Sequence, residues 1–385
     1  MELALRPNWA EINLDNLAHN VGEFRRLIGP RVALMAVVKA DAYGHGAVEV
    51  AGAALAAGAD WLGVAMVEEG IQLRQAGLKA PILVLGYIPP EQAGAVLDYD
   101  LSQALFNPEL ARALSGEASR RGKKARVHLK VDTGMGRVGV PPGAAAARFA
   151  REVAVLPGLE IEGVFTHFAV ADEDAGFTEA QFAAFLDTLR HLEGEGIKPR
   201  YRHAANSAAT IDFPHAHLDL VRIGIAMYGL HPAQVPNPRV SIKPVMSWKT
   251  RVAMAKRVNP GTSVSYGRTY VAPRETTIAT LPLGYADGFR RLLSNRGRVL
   301  VRGRRVPVVG RVCMDQTMID LGDQPVEVGE EVVIIGRQGD EEITAEEMAA
   351  ELQTINYEIT CLVGRRVPRV YIQGGRVTKV KGLLD

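Results

Sequence analysis

Residues 32–46 read VALMAVVKADAYGHG, and the first seven of them, Val32 to Val38, are all apolar. A run of that length and β-branched content suits a strand buried on both faces, as in a parallel sheet. Lys39 follows at once, then Asp41, Tyr43, Gly44 and Gly46. The strand therefore ends on an ammonium group, beside a tyrosine and a flexible turn.

The same kind of run recurs along the chain. Strands are expected at 32–38, 61–65, 81–85, 101–105, 125–131, 159–166, 201–205 and 219–223. The fourth, LSQAL, is thin in apolar residues. Between them lie helix-period stretches such as GAVEVAGAALAAG, NPELARALSGEASRRG and TEAQFAAFLDTLRHLEG. Repeated βα alternation points to parallel pairing with crossover helices, and eight such strands to a (β/α)8 TIM-type barrel. Residues 1–240 are assigned to this barrel, with 1–13 as an extra strand joining the C-terminal domain. Asp15 is expected to cap a helix whose apolar face is Leu17, Val21, Phe24 and Ile28. The segment 231–244, HPAQVPNPRVSIKP, carries four prolines and reads as a linker. From 241 to 385 the period falls to two, in MSWKTRVAMAKRV, RVLVRGRRVPVVGRV and EEVVIIGR. That half reads as a mostly-β domain, interrupted by a helix opening at Thr344 with Glu347 at capping-box spacing.

Composition narrows the function. Hydrophobic residues make up 47%, charged residues 23%, and the net charge is +2 with no long basic run, which argues against nucleic-acid binding. Two cysteines, Cys313 and Cys361, are too few for a disulfide framework and fit a reducing compartment. No signal peptide is recognised at the N-terminus, and no apolar stretch approaches the roughly 20 residues of a membrane helix. A soluble, cytoplasmic protein is expected.

Barrel enzymes keep their active sites at the C-terminal ends of the strands. Lys39 and Tyr43 follow the first strand; Lys130 and the DTGMGR segment with Arg137 follow the fifth; His167 closes the sixth. Asn206 and Ser207 follow the seventh, and Arg222 to Gly224 the eighth. The loops after strands seven and eight commonly bind phosphate. Singly, each has a plainer reading: a solvated strand end for Lys39, a structural histidine at 167, an Arg137–Asp132 pair, a helix cap at Ser207. Their coincidence on one rim favours a site. The Gly134–Gly139 stretch matches G-x-G-x-x-G, but Pro141 and Pro142 push the next helix beyond the third glycine, against a dinucleotide site. A lysine on a buried strand with a phosphate loop on the same rim suggests pyridoxal 5′-phosphate, held as a Schiff base by the neutral amine.

These residues belong to stretches that resemble the alanine racemase family over nearly the whole chain: AVVKADAYGHG, KVDTGMGRVG, THFA, RHAANSAA, VRIGIAMYG, SVSYGRTY, LPLGYADG, GRVCMDQTMID and TINYEIT. The resemblance implies an isomerase that interconverts L- and D-alanine by two bases on the cofactor adduct, supplying D-alanine for peptidoglycan. It implies Lys39 as the cofactor lysine and D-side base, with Tyr43, Ser207, Gly224, Ile225 and Tyr357 around the phosphate. His167 would lie against the pyridine ring and Arg222 would face its nitrogen. Arg137 and the backbone of Met314 would hold the substrate carboxylate, and Tyr285 would line the entrance with Tyr357. Either Arg290 or Arg291 would join them. Lys130 matches a position carbamylated in several members. Tyr266 matches the L-side base, contributed by the partner in a homodimer with shared active sites. No metal is implied. A serine or broad-specificity racemase shares this machinery. A decarboxylase of the same architecture is not expected to carry Tyr266 with Cys313-Met314-Asp315, and a non-enzymatic cofactor-binding barrel would lack the second domain.

Overall fold

The computed structural model describes residues 6–232 and 238–384. The expectations for residues 1–5 and for 233–237 of the linker lie outside the described residues. The chain divides into two compact units. One comprises Ala18–Ala42 and Ala47–Ile242; the other takes the N-terminal stretch to Leu17, Tyr43–Gly46 and the chain from Lys243.

After β1 (Asn8–Asn13), eight strands build the first unit: β2 (Ala33–Val37), β3 (Trp61–Val64), β4 (Ile82–Val84), β5 (Ser102–Leu105), β6 (Ala125–Lys130), β7 (Leu159–Phe165), β8 (Tyr201–His203) and β9 (Leu220–Ile223). They pair in parallel in the order β8-β7-β6-β5-β4-β3-β2-β9. Backbone N–H groups of Asp219 and Arg222 donate to the carbonyls of Arg202 and Ala205 at 3.1 and 3.0 Å, which brings β9 back to β8 and closes the TIM-type barrel. All eight expected strands are present. The thin one, β5, is wholly buried because its polar groups are satisfied. The Ser102 hydroxyl donates to Glu162 at 2.7 Å and the Gln103 amide to the Gly86 carbonyl at 2.8 Å. Helices cross between the strands with ordinary punctuation. The one at Pro108–Arg121 opens on Asn107, whose side chain accepts from Glu109 N and Leu110 N, and stops at Gly122 with φ 62°.

In the second unit β1 pairs antiparallel with β10 (Met246–Arg251) and parallel with β20 (Arg369–Gln373). Between the last two lie β11 (Met254–Val258), β12 (Ser263–Val264), β13 (Tyr270–Val271), β14 (Thr276–Leu281), β15 (Arg298–Val301), β16 (Arg304–Pro307), β17 (Thr317–Gly322), β18 (Glu331–Gln338) and β19 (Glu341–Ile343). The largest sheet of this unit runs β16-β15-β18-β10-β1-β20-β21, the last strand being β21 (Arg376–Lys381), and a three-stranded one runs β11-β14-β17. The MSWKTRVAMAKRV stretch forms two strands, β10 and β11, in different sheets. The helix Leu14–Ile28 is capped by Asn13, which accepts from Asn16 N at 2.9 Å, and not by Asp15, which accepts from Gly374 N at 2.7 Å.

Candidate active site

Register places the chemistry-bearing residues. Met35 on β2 lies beside Arg222 on β9, Lys130 on β6 beside Phe165 on β7, and Phe165 beside His203 on β8. Lys39, Lys130, Arg137, His167, Ser207, Arg222, Gly224 and Ile225 therefore all sit at or beyond the C-terminal ends of barrel strands.

The turn after β2 is not flexible. Ala40, Asp41 and Ala42 have φ/ψ near +53°/+50°, and Tyr43 has φ 54°, so the chain makes one left-handed helical turn without a glycine. Each such residue costs about 1–2 kcal/mol. The turn persists because its polar groups are held. Ala40 N donates to Glu69 Oε1 at 2.6 Å, Ala42 N to the Val38 carbonyl at 2.9 Å, and Ala47 N to Asp41 Oδ1 at 2.8 Å. Lys39 is the residue from which this turn departs. Glu69, which fixes it, carries no sequence signal beyond its helix position.

Arg222 is 4% exposed and has four acceptors within reach, three of which share the two protons of Nη2. Its Nη2 reaches the carbonyls of Thr166 and Ala204, both at 2.9 Å, and His167 Nδ1 at 3.1 Å; its Nη1 reaches His203 Nδ1 at 3.0 Å. Burial lowers its pKa to about 9, so it remains a cation at neutral pH. His167 is driven well below the usual histidine range, first by burial and then by Arg222, Lys130, Arg137 and Lys39. It is a neutral ring beside the Arg222 cation. Lys130 is 3% exposed, with Nζ 5.1 Å from the Phe165 ring centroid. Burial, then Arg222, brings its pKa down to about 7. Asp132 does not pair with Arg137 among the described residues; it accepts from Gly134 N and Gly136 N at 3.0 and 3.1 Å and shapes the loop. The helix after that loop begins only at Ala144, so the glycines do not open a helix. Ser207 is not the cap of its helix: Asn206 accepts from Ala209 N at 3.0 Å, and the Ser207 hydroxyl accepts from Gly224 N at 3.0 Å. A rim that carries Arg137 and Arg222 beside a neutral imidazole suits an anionic group that carries an aromatic ring.

The second unit holds the other expected residues. Tyr43 and Tyr357 lie with ring centroids 6.2 Å apart. Burial, then Tyr357, pushes the Tyr43 phenol up, so it stays a hydrogen-bond donor. Gly44 follows with φ +84°, and a Cβ there would lie 2.2 Å from the Thr360 carbonyl oxygen, on the helix that carries Tyr357. Arg369, missed in the sequence because it sits in an ordinary alternating strand, donates to the Gly44 carbonyl at 2.9 Å and to Val363 O at 2.5 Å. Tyr266, Tyr285 and Met314 are 73%, 41% and 53% exposed. They are braced together: Ser265 donates to Arg311 O at 2.6 Å, Tyr285 N to Cys313 O at 3.0 Å and Ala286 N to Met314 O at 3.0 Å. Arg290 and Arg291 both line a 420 Å³ cavity with Tyr285 and Glu358. Arg290 reaches Glu358 at 3.5 Å.

Known proteins resemble the chain throughout. The family described as "Alanine racemase, N-terminal domain" matches residues 12–232, and "Alanine racemase, C-terminal domain" matches 245–371. An alanine racemase of Symbiobacterium thermophilum is 55% identical over 95% of this chain and 97% of its own. The structure of an alanine racemase from Clostridium difficile 630 superposes with TM-score 0.96 at 40% identity, over 100% of both chains. That of a histidine racemase from Leuconostoc mesenteroides superposes with TM-score 0.89 at 30% identity, over 96% of this chain and 98% of the other.

Proposed function

We propose that this chain, which belongs to the alanine racemase family of pyridoxal-phosphate-dependent isomerases, interconverts L- and D-alanine. The observation that carries the reading is the barrel rim, where the buried Arg222 guanidinium contacts His167 and Lys39, Lys130 and Arg137 lie at or beyond strand ends of the same barrel. Pyridoxal phosphate bound there supplies an electron-withdrawing ring that acidifies the substrate Cα–H. Lys39 anchors it and moves a proton at Cα on one face. Tyr43 and Tyr357, with Ser207, Gly224 and Ile225, hold the phosphate. His167 would support the bound ring. Arg222, a permanent donor, would face its nitrogen and oppose protonation there, which would favour proton return over side reactions. Arg137 and the Met314 N–H fix the substrate carboxylate, and Tyr285 guards the entrance.

Racemisation needs a second base on the opposite face. We assign this to Tyr266 of the partner subunit in a homodimer. Exposure of Tyr266, Tyr285 and Met314 on braced segments supports a partner-facing role for them. Carbamylation of Lys130 is part of the same reading, since an amine with pKa about 7 is largely nucleophilic and the anion formed would face Arg137 and Arg222. The product is assigned to peptidoglycan synthesis in the cytoplasm, which complementation of a D-alanine auxotroph tests.

A second reading, a racemase of broader substrate range, is favoured by the likeness to a histidine racemase. Polarimetry on L-alanine, L-serine, L-lysine and L-histidine separates the two. Borohydride reduction and peptide mapping should place the pyridoxyl label on Lys39; a label on another lysine sinks the assignment.

A further inference from the structure

Behind Arg222 the barrel lumen contains a line of buried polar groups that the reaction outlined above does not use. From Arg222 Nη1 it runs to His203 Nδ1 at 3.0 Å, from His203 Nε2 to His128 Nδ1 at 2.9 Å, and from His128 Nε2 to Glu162 Oε2 at 3.3 Å. Ser102 Oγ donates to the same carboxylate oxygen at 2.7 Å. His128 and His203 are fully buried, and Glu162 has 12% of its side chain exposed. The line is sheathed in rings. Phe165 stacks on His203 at 4.7 Å, Trp61 meets His128 edge-on at 5.4 Å, and Tyr201 lies nearly parallel to His128 at 6.3 Å.

The direction of every hydrogen bond follows from one end. A guanidinium only donates, so His203 Nδ1 and His167 Nδ1 must both be acceptors. With Nδ1 bare, neutral His203 carries its proton on Nε2 and donates to His128 Nδ1. His128 is then also an Nε2–H tautomer, and its proton points at Glu162, which as a carboxylate only accepts. Donor and acceptor ends are matched: one cation and one anion, joined by two neutral imidazoles of fixed tautomer. A proton added to His128 Nδ1 would force His203 to accept on Nε2 and turn an N–H toward Arg222. The alternative tautomer is therefore blocked at both ends, by a donor-only group above and an acceptor-only group below. Gly163 makes room for this, since a Cβ there would lie 2.3 Å from His128 Nδ1. It sits where the β6–β7 register shifts, between Val127 and His128.

We propose that Glu162, acting through His128 and His203, is the positioning and counter-charge residue of Arg222. It holds the guanidinium in the one orientation that also pins His167 with Nε2–H toward the site. Glu162 does not touch the reacting atoms. It supplies the negative charge that keeps the buried Arg222 cation in place, three hydrogen bonds away and with His128 and His203 between them. The role of Arg222 toward the cofactor rests on the function proposed above; the tautomer line does not.

The test uses the cofactor-loaded enzyme with 15N-labelled histidine. In the wild type, His128, His203 and His167 should each appear as the neutral Nε2–H tautomer, unchanged between pH 6 and pH 9. An Nδ1–H tautomer or an imidazolium at any of the three overturns the proposal without a variant. Glu162→Gln keeps shape and an acceptor but removes the charge. The expected result is a shift of the His203 and His167 ring nitrogens and a fall in racemase kcat of about tenfold, with KM within about twofold. Glu162→Asp should recover part of both. Unchanged His203 and His167 resonances, or an unchanged kcat, in Glu162→Gln refutes it. A wild type that shows the three tautomers but neither binds pyridoxal phosphate nor racemises amino acids would instead refute the function, leaving the line intact.

Discussion

Replacing Lys130 by methionine isolates a large electrostatic cost on the barrel rim. The folded pKa of the amine is about 7 against 10.5 for an ordinary lysine, burial being the first cause and Arg222 the second. Between those two values the unfolded chain binds a proton that the folded chain does not, so stability rises with pH across that window. Below pH 7 the penalty is fully present. From pH 7 to pH 9 its relief is worth about 2–3 kcal/mol. Lys130→Met retains the stem and discards the titration. In carbon-dioxide-depleted buffer, the stability of wild type relative to Lys130→Met, taken from denaturant unfolding, should therefore rise by that amount over the two pH units. Added bicarbonate should raise the stability of the wild type across this window and leave the slope in place, because forming the carbamate from the protonated amine of the unfolded chain still releases a proton. A difference flat with pH in depleted buffer would contradict the burial argument. A wild-type stability insensitive to bicarbonate at every pH would remove the carbamate.

Glu69→Gln leaves one acceptor oxygen for Ala40 N, Ala65 N and Met66 N, which the carboxylate now takes at 2.6, 2.7 and 3.3 Å. A loss of about 2 kcal/mol in unfolding free energy and weaker pyridoxal phosphate binding are expected; unchanged binding would detach the left-handed turn from Lys39. Gly44→Ala forces a Cβ against Thr360 O at a backbone angle that disfavours it. Cofactor loss on dialysis, read by absorbance, is expected, and full retention would argue against Tyr43 and Tyr357 as phosphate holders. Arg222→Glu would set a carboxylate against the Thr166 and Ala204 carbonyls and cost about 3–5 kcal/mol. A stable, fully active variant would exclude the orientation argued for Arg222.

The barrel was legible because strands buried on both faces read as unbroken apolar runs. The fourth strand departs from that pattern, yet it is buried because Ser102 and Gln103 find partners on Glu162 and Gly86 that no local reading supplies. The left-handed turn was hidden for the opposite reason. KADAY has no glycine, and the conformation is imposed by Glu69 and by Ala47 N on Asp41, distant in sequence or set by the fold. Asp15 and Asn13 both suit a cap, and only the backbone geometry separates them. Ser207 was read as a possible cap, but Asn206 does that work, freeing the serine for Gly224 N. The lumen line had a trace in the sequence: Arg126, His128 and Lys130 alternate in β6, a polar period of two in a strand otherwise read as buried.

The central claim, two bases contributed to one site by two chains, is tested by mixing inactive variants. Lys39→Ala and Tyr266→Phe homodimers should each be nearly inactive. If each site joins Lys39 of one chain to Tyr266 of the other, a mixed dimer holds one doubly defective site and one intact site. With random pairing about half the dimers are mixed, so roughly a quarter of wild-type racemase activity should return after subunit exchange. If both bases came from one chain, every site in the mixture would lack one of them. Mixtures that stay inactive, with exchange verified by a tag on one chain, would contradict the shared site.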